Sequence, residues 1–443
     1  MNILALDVYP SNVRAAVLDT ETGRARGGIA RAEVAIDAPV PDASEIPVPR
    51  LWEAVASCAR QAVRQSGVAG QPGQDVAAVG LTTFLPGLVL LGKDDQPLAP
   101  IWTPWDRRAR PAARQVWAHV GEEFLAATGH RPVPGNVSAL AWRQQLTIDP
   151  YLSHRVHSYL HVNGWLAFHM TGVKAFDPGN ASCSGLFGTL TDGQWSPRWC
   201  DYFEIDRNWL PPIVCGSATV GALRATAAAE LGVPAGVPVK LGTGNLASRI
   251  LATRMQIGDL MCVGGADTLA ILTEHPVPAP RRLTQRLGVG RRFIHVAQNP
   301  LDAAALRWIH HLCFRDQSEE KFYMESVPAA RERSTRVCLD PPFLDGDLFG
   351  IEAQRAVFRE LEMTVDRLDL LAALLDAMTR RHSEAVANLG VGAEFRKLFL
   401  VGGPVCVFGY QFPEHQAGEI VTLDAELAPL QGVARLFATD GIE

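Results

Sequence analysis

Residues 3–6 form an unbroken apolar run that stops at a single carboxylate, Asp7. A turn-rich tetrapeptide follows, Tyr9-Pro10-Ser11-Asn12, and residues 13–18 are apolar again apart from Arg14. Runs that are apolar at every position read as strands buried on both faces, so residues 1–20 predict a hairpin presenting one acid and a polar loop. The pattern returns at residues 259–263, Gly264-Gly265-Ala266-Asp267 and 268–272. One strand-turn-strand unit in each half predicts a duplicated chain of two domains with a cleft between them. Between the hairpins, residues 27–36 predict a third strand and residues 51–65 a helix, with Leu51, Val55, Cys58 and Val63 near helical spacing. Residues 75–83 and 88–91 predict two more strands, the second closed by Gly92-Lys93-Asp94-Asp95. The clearest helical period lies in residues 364–389, with Leu368, Leu371, Leu375, Met378, His382, Val386 and Leu389 on one face and Gly390 as the stop.

Composition leaves this picture intact and removes several classes of function. At 443 residues, 47% hydrophobic and 20% charged, the chain is ordinary globular protein with material for two cores. A net charge of −6 and the lack of a basic block argue against a nucleic-acid partner. No apolar run reaches the length of a membrane span, and no charged stretch leads into a long hydrophobic one at the start. No membrane association and a cytoplasmic location are therefore expected. The eight cysteines are scattered without a CxxC, which reads as free, mostly buried thiols in a reducing compartment. The five arginines within residues 281–292 read as a surface loop. His310 and His311 sit on a helix capped by Asp302, and adjacent histidines cannot share a metal as i,i+4 residues can.

Motifs in a fixed order carry more. Residues 79–112, VGLTTFLPGLVLLGKDDQPLAPIWTPWDRRARPA, contain a strand, a loop, the turn segment LLGKDDQPLAP and a D-x-R element at Asp106 and Arg108. Residues 161–199 carry DPGNAS, with Asp177, ahead of a terminal tryptophan. VPVKLGTGNLAS, MQIGDLMCVGGADTLAIL, LFLVGGPV and LAPLQGVARLFA follow in register. This series resembles the FGGY carbohydrate kinases, the group of xylulokinase-, gluconokinase- and glycerol-kinase-like proteins, over nearly the whole chain. The resemblance implies an α/β fold of two actin-like ATPase (ribonuclease-H-like) domains. Residues 1–240 would be the sugar side and residues 241–443 the nucleotide side, with sugar or polyol and MgATP meeting in the interdomain cleft.

Kinases of this family have four physical tasks, and this chain departs from the family pattern at each. The resemblance places the general base at Asn245 of Gly242-Thr243-Gly244-Asn245; an amide can hold a hydroxyl but cannot take its proton. Read locally, Asn245 caps the helix that follows. The phosphate-binding hairpin of the family keeps Asp7, also the position of the metal, and Arg14, with Ser11 and Asn12 in the loop. Tyr9 and Pro10 replace glycine and threonine, which adds bulk and removes an amide donor. The second hairpin keeps Gly264 and Gly265 but carries Asp267, a carboxylate that repels a triphosphate. Gly402 and Gly403 survive from the adenine-binding turn, while Pro404 and residues 405–418 show no helical period, so the adenine region is shortened. On the sugar side, Thr83 and Phe84 begin a loop, Phe84-Leu85-Pro86, that lacks polar side chains after Thr83. Asp106 and Arg108 remain to hold hydroxyls, or form an i,i+2 surface pair at a helix start. Asp177 is first of all a turn former.

Two readings of different class follow. In one, the chain is a kinase-derived pseudokinase that binds a sugar-like ligand or a partner without turnover and needs no cofactor. In the other, it is an active ATP-dependent carbohydrate kinase for a ketose, polyol or aldonate, with Mg²⁺ near Asp7. The four departures favour the first.

Overall fold

Alternation along β1 (Asn2–Val8) sends Leu4, Leu6 and Val8 to one face of a sheet and Ile3, Ala5 and Asp7 to the other. The computed structural model describes residues 1–67, 73–264, 268–277, 283–288, 290, 292–298, 303–340, 350–352, 356–390, 394–402 and 417–438. The first sheet adds β2 (Asn12–Asp19), β3 (Ala25–Glu33), β4 (Val76–Thr83), β5 (Thr219–Ala222) and β6 (Pro238–Gly244), in the order β3-β2-β1-β4-β6-β5. The second contains β7 (Leu260–Val263), β8 (Thr268–Thr273), β9 (Thr284–Leu287), β10 (Phe293–Gln298), β11 (Phe395–Val401) and β12 (Ala417–Leu423), in the order β9-β10-β8-β7-β11-β12. In each, the opening hairpin is antiparallel and its first strand also pairs in parallel with a later strand, β1 with β4 and β7 with β11. The run β3-β2-β1-β4-β6 thus recurs as β10-β8-β7-β11-β12. The fold is the duplicated α/β architecture that the two hairpins predict.

Helices cover both faces of the first sheet. Helix α1 (Val48–Gln65), starting three residues before the apolar period with Pro49 in its first turn, packs Leu51, Val55 and Cys58 on the Leu4-Leu6-Val8 face. Helix α2 (Arg110–Thr128) ends at Gly129, whose φ of +74° is a left-handed C-cap. Helix α3 (Asn245–Thr253) follows β6 directly. Helix α4 (Arg367–Asn388) is shorter than its period at the start because Asp366 and Asp369 form a capping box there. Helix α5 (Leu427–Arg435) returns from the second sheet and packs Leu430, Val433 and Ala434 on the Ile3-Ala5 face of the first.

Helix α3 lies between the two sheets. Leu246, Ala247 and Ile250 join the core of the second sheet with Met261, Ala270 and Phe399. Ser248 instead faces α5, its hydroxyl donating to the Pro429 carbonyl at 2.7 Å. Gly432 lets the two helices approach so closely that a Cβ there would lie 1.8 Å from the Ser248 carbonyl oxygen. We therefore expect Gly432→Ala to force α5 off α3 and lose about 2–4 kcal/mol of unfolding free energy. Urea denaturation measures this, and a variant as stable as the parent would show that the crossing is not tight.

The arginine-rich segment 281–292 is not simply a loop: it contains β9, an edge strand that docks on the first lobe. The Gln285 amide donates to the Gly129 carbonyl at 2.9 Å, and the Leu287 amide donates to the Ser182 hydroxyl at 3.1 Å. Cys58, Cys183 and Cys200 are buried free thiols, as the scattered spacing suggests. None of the described helices is long and apolar enough to cross a membrane. Gly265, Ala266, Asp267, Asp302, Gly403 and Pro404 lie outside the described residues.

Candidate functional site

Asp7 stands near the C-terminal end of β1, opposite Arg14 on β2 and Thr82 on β4. It is wholly buried, and both of its oxygens accept hydrogen bonds. The Asn245 side-chain amide donates to Oδ1, and Arg14 Nη1 lies 3.4 Å from Oδ2. Asn245 is the first residue of α3; Gly244 takes the N-cap position and no side chain caps the helix. The capping role expected of Asn245 is therefore replaced by a tertiary contact with Asp7. One turn along α3, on the same face, Arg249 donates from Nη2 to the Tyr9 hydroxyl. The guanidinium carbons of Arg14 and Arg249 lie 5.0 and 5.6 Å from the centre of the Tyr9 ring, within cation–π range. Burial pushes the Asp7 carboxyl up to about 6, against the pull of Arg249, Arg14 and the Asn245 amide. Burial likewise raises the Tyr9 phenol, opposed by Arg249.

The remaining loop positions are tied into the fold. The Tyr9 amide donates to the Asn12 carbonyl at 2.8 Å, closing the turn, and the Asn12 side chain donates to the Ser11 hydroxyl at 3.1 Å. Gly264 N–H donates to Val401 and Gly402 N–H to Leu423, fixing the ends of β7, β11 and β12. Gly265 and Gly403 fall outside the described residues.

On the first-lobe side, Thr83 is wholly buried and its hydroxyl has no hydrogen-bond partner among the described residues. Phe84 belongs to the hydrophobic core rather than to an open surface. Asp106 and Arg108 are not a surface pair. Asp106 is buried and accepts from the Ser44 amide at 2.9 Å and from Arg108 Nε and Nη2 at 2.9 and 2.7 Å. Arg108 also pairs with Glu45 and stacks 3.9 Å from the Trp102 ring centre, so the D-x-R element clamps residues 44–45 to the start of α2. A cavity of about 10 Å³ beside Asp106, Thr103 and Ser138 has room for about one water. Asp177 caps the short helix Pro178–Ser182 and accepts from the Asn180 amide, from Asn163 Nδ2 at 2.9 Å and from the Thr243 hydroxyl at 3.2 Å. With those acceptor positions filled it is a turn former.

The family model described as the FGGY family of carbohydrate kinases, N-terminal domain, matches residues 2–251, more than half of the 443. The chain belongs to the FGGY family. It is 29% identical over 252 residues to autoinducer-2 kinase of Escherichia coli, covering 55% of this chain and 46% of that protein. It is also 29% identical over 258 residues to the L-xylulose/3-keto-L-gulonate kinase of Escherichia coli, covering 57% and 50%. The chain thus spans about half the length of the curated relatives it matches. Among solved structures, gluconate kinase from Lactobacillus acidophilus superposes with a TM-score of 0.87 at 15% identity, over 98% of this chain and 88% of that one. Xylulose kinase from Rhodospirillum rubrum gives 0.85 at 20% identity, over 98% and 89%. These likenesses establish the fold.

In this FGGY-family chain the donor set around Asp7 does not fit a resident Mg²⁺. A hard divalent cation takes oxygen ligands. Here both Asp7 oxygens face N–H donors, two guanidiniums stand beside it, and no group of three or more metal-ligating side chains occurs among the described residues. Arg249 is the site residue that motif reading missed. Its signal was its place four residues after Asn245 on a helix otherwise buried along its first two turns.

Proposed function

We propose that this FGGY-family chain is a pseudokinase, which holds a small polar ligand between its lobes and does not transfer phosphate to it. Residues 1–240 would form the sugar side and residues 241–443 the remnant of the nucleotide side. The observation that carries this reading is the Asn245–Asp7 hydrogen bond. At the position that the family resemblance assigns to the general base, an amide donates to the carboxylate assigned to the metal. An amide has no basic oxygen with which to deprotonate a sugar hydroxyl, and a carboxylate already held by N–H donors is a poor metal ligand. The unpartnered Thr83 hydroxyl supports a ligand-binding role for the first lobe.

The second reading is active ATP-dependent phosphorylation of a ketose, polyol or aldonate. What favours it is that the relatives sharing residues of the first lobe are named as kinases. Melting curves and a coupled ATPase assay separate the two. We expect MgATP at millimolar concentration to leave the melting temperature unchanged, and no ATP consumption with xylulose, xylitol or gluconate. A marked rise with MgATP together with sugar-dependent ATP consumption would establish the active reading instead.

A further inference from the structure

An edge strand leaves the N–H groups of alternate residues without a partner in its own sheet, and such groups are costly to bury unpaired. β9 is an edge of the second sheet and pairs there with β10 alone. Its outward amides are taken by the first lobe: Gln285 N–H donates to the Gly129 carbonyl at 2.9 Å, and Leu287 N–H to the Ser182 hydroxyl at 3.1 Å. The Gly129 carbonyl lies just past the end of α2, where helix carbonyls lack intrahelical donors. The fit is close. A Cβ on Gly129 would lie 2.4 Å from the Gln285 carbonyl oxygen, and one on Gly179 would lie 3.0 Å from both the Leu287 carbonyl oxygen and the Thr243 hydroxyl. Leu287 packs on the first-lobe core, and Arg286 reaches the Cys183 thiol. Near the start of α2, Ile351 is buried in that same core and Glu352 pairs with Arg114. Residues of the second half thus grip α2 at both ends.

We propose that β9 is an interlobe strap, which keeps the two lobes shut over the space beside Asn245, so that whatever enters there must first release it. The contact at Gly179 adjoins Thr243, two residues before Asn245. Parting the lobes on this side breaks both amide hydrogen bonds and bares Leu287 and Ile351 together. Release is therefore one cooperative opening rather than a gradual widening. The strap is built the same way whether or not the chain transfers phosphate, so its failure would leave the pseudokinase reading untouched.

Hydrogen exchange, thiol labelling and small-angle X-ray scattering on the full chain test it. In the parent, the Gln285 and Leu287 amides should exchange about a hundredfold or more slower than in an unstructured chain, although they lie on a sheet edge. Leu287→Asp sets a charge against the first-lobe core and should release the strap. Exchange within residues 283–288 should then rise about tenfold, and the radius of gyration should increase. N-ethylmaleimide should label Cys183 about tenfold faster, while Cys58 and Cys200, equally buried in the first lobe, keep the parent's rate. Ser182→Ala removes the acceptor of the Leu287 amide and one side-chain bond to the Pro178 carbonyl. It should move exchange and labelling in the same direction, and it decides the matter if the aspartate variant does not fold. The proposal is overturned if the parent's two amides exchange like an unstructured chain. It is also overturned if faster exchange in a variant leaves Cys183 labelling and the radius of gyration unchanged, or if Cys58 and Cys200 speed up with Cys183, which would make β9 a part of the global fold and not a strap.

Discussion

Asn245→Asp is expected to destabilise the ligand-free protein by about 2–4 kcal/mol at neutral pH, to make its stability respond to Mg²⁺, and to restore no phosphotransfer. The substitution replaces the amide that donates to Asp7 Oδ1 with a second carboxylate in the same place. A hydrogen bond to a charged group is lost, worth about 1.5–3 kcal/mol, and two buried carboxylates then share one site. They cannot both ionise cheaply, so one takes up a proton, and its folded-state pKa rises further than the value of about 6 that Asp7 has already. The sign follows. A carboxyl raised in the folded state contributes stability below its unfolded pKa, and that contribution is lost as pH rises through the folded value. The variant should therefore gain on the parent as pH falls from about 7 towards 4. A divalent cation can replace the missing donor, so Mg²⁺ should recover part of the loss, whereas the parent stays indifferent to it. Turnover should not return, since Tyr9 and Arg249 still occupy the ground in front of Asp7. Urea denaturation in EDTA and in Mg²⁺, beside an ATPase assay, reads each part. A variant as stable as the parent that consumes ATP with a sugar would mean that Asn245 silenced the site alone.

What the sequence disclosed and what it withheld divide along one physical line. Strands that are buried on both faces leave an uninterrupted apolar signature, so β1, β2, β7 and β8, and with them the duplication, were legible. Long amphipathic helices were equally plain, and α4 differed only where Asp366 capped it early. Residues whose partners lie far along the chain were not legible. Asn245 looked like a cap because that is the local rule, yet Gly244 holds the cap and the amide turns to Asp7. Asp106 and Arg108 read either as holders of sugar hydroxyls or, from their short spacing, as a surface pair, while the contacts that bury them come from residues 44–45. Arg286 read as part of a solvated loop, but its strand pairs at the sheet edge and bonds to Gly129 across the lobes. Arg249 carried no motif at all. Only the helix that holds it, pressed between two sheets, makes its charge conspicuous.

Acid should unfold the protein well before its carboxylates are exhausted, and His161 should account for a measurable share. His161 is wholly buried, with Nε2 2.7 Å from the Ser138 hydroxyl and Nδ1 3.2 Å from Asn180 Oδ1. Tyr159 donates to the Ser138 oxygen at 2.7 Å, so Ser138 in turn donates to Nε2, and Nδ1–H donates to Asn180. Every proton in this chain is placed for a neutral imidazole; a second ring proton would point at an oxygen that has its own hydrogen directed there. Burial holds His161 down at about 3 and the equally buried His130 at about 4. In the second lobe, burial lowers His295 and His382 to about 4 as well. A histidine depressed in the folded state leaves stability intact above its unfolded pKa of about 6.5. That stability is lost as pH falls from there towards the folded value, at roughly 1.4 kcal/mol per pH unit for each group. Asp7 opposes the trend, because its raised carboxyl takes up a proton in the folded state between about 4 and 6. Asp177, likewise raised by burial, opposes it too, but the four histidines outweigh the two carboxyls, so stability still falls between pH 6 and 5. His161→Gln keeps a hydrogen-bonding atom near Nε2 but cannot titrate. It should lose about 1–3 kcal/mol at pH 7.5 and show a shallower decline, by about one proton, from pH 6.5 to 4.5. Urea midpoints across that range decide it: parallel profiles for parent and variant would show that His161 is not the group the unfolded chain protonates first.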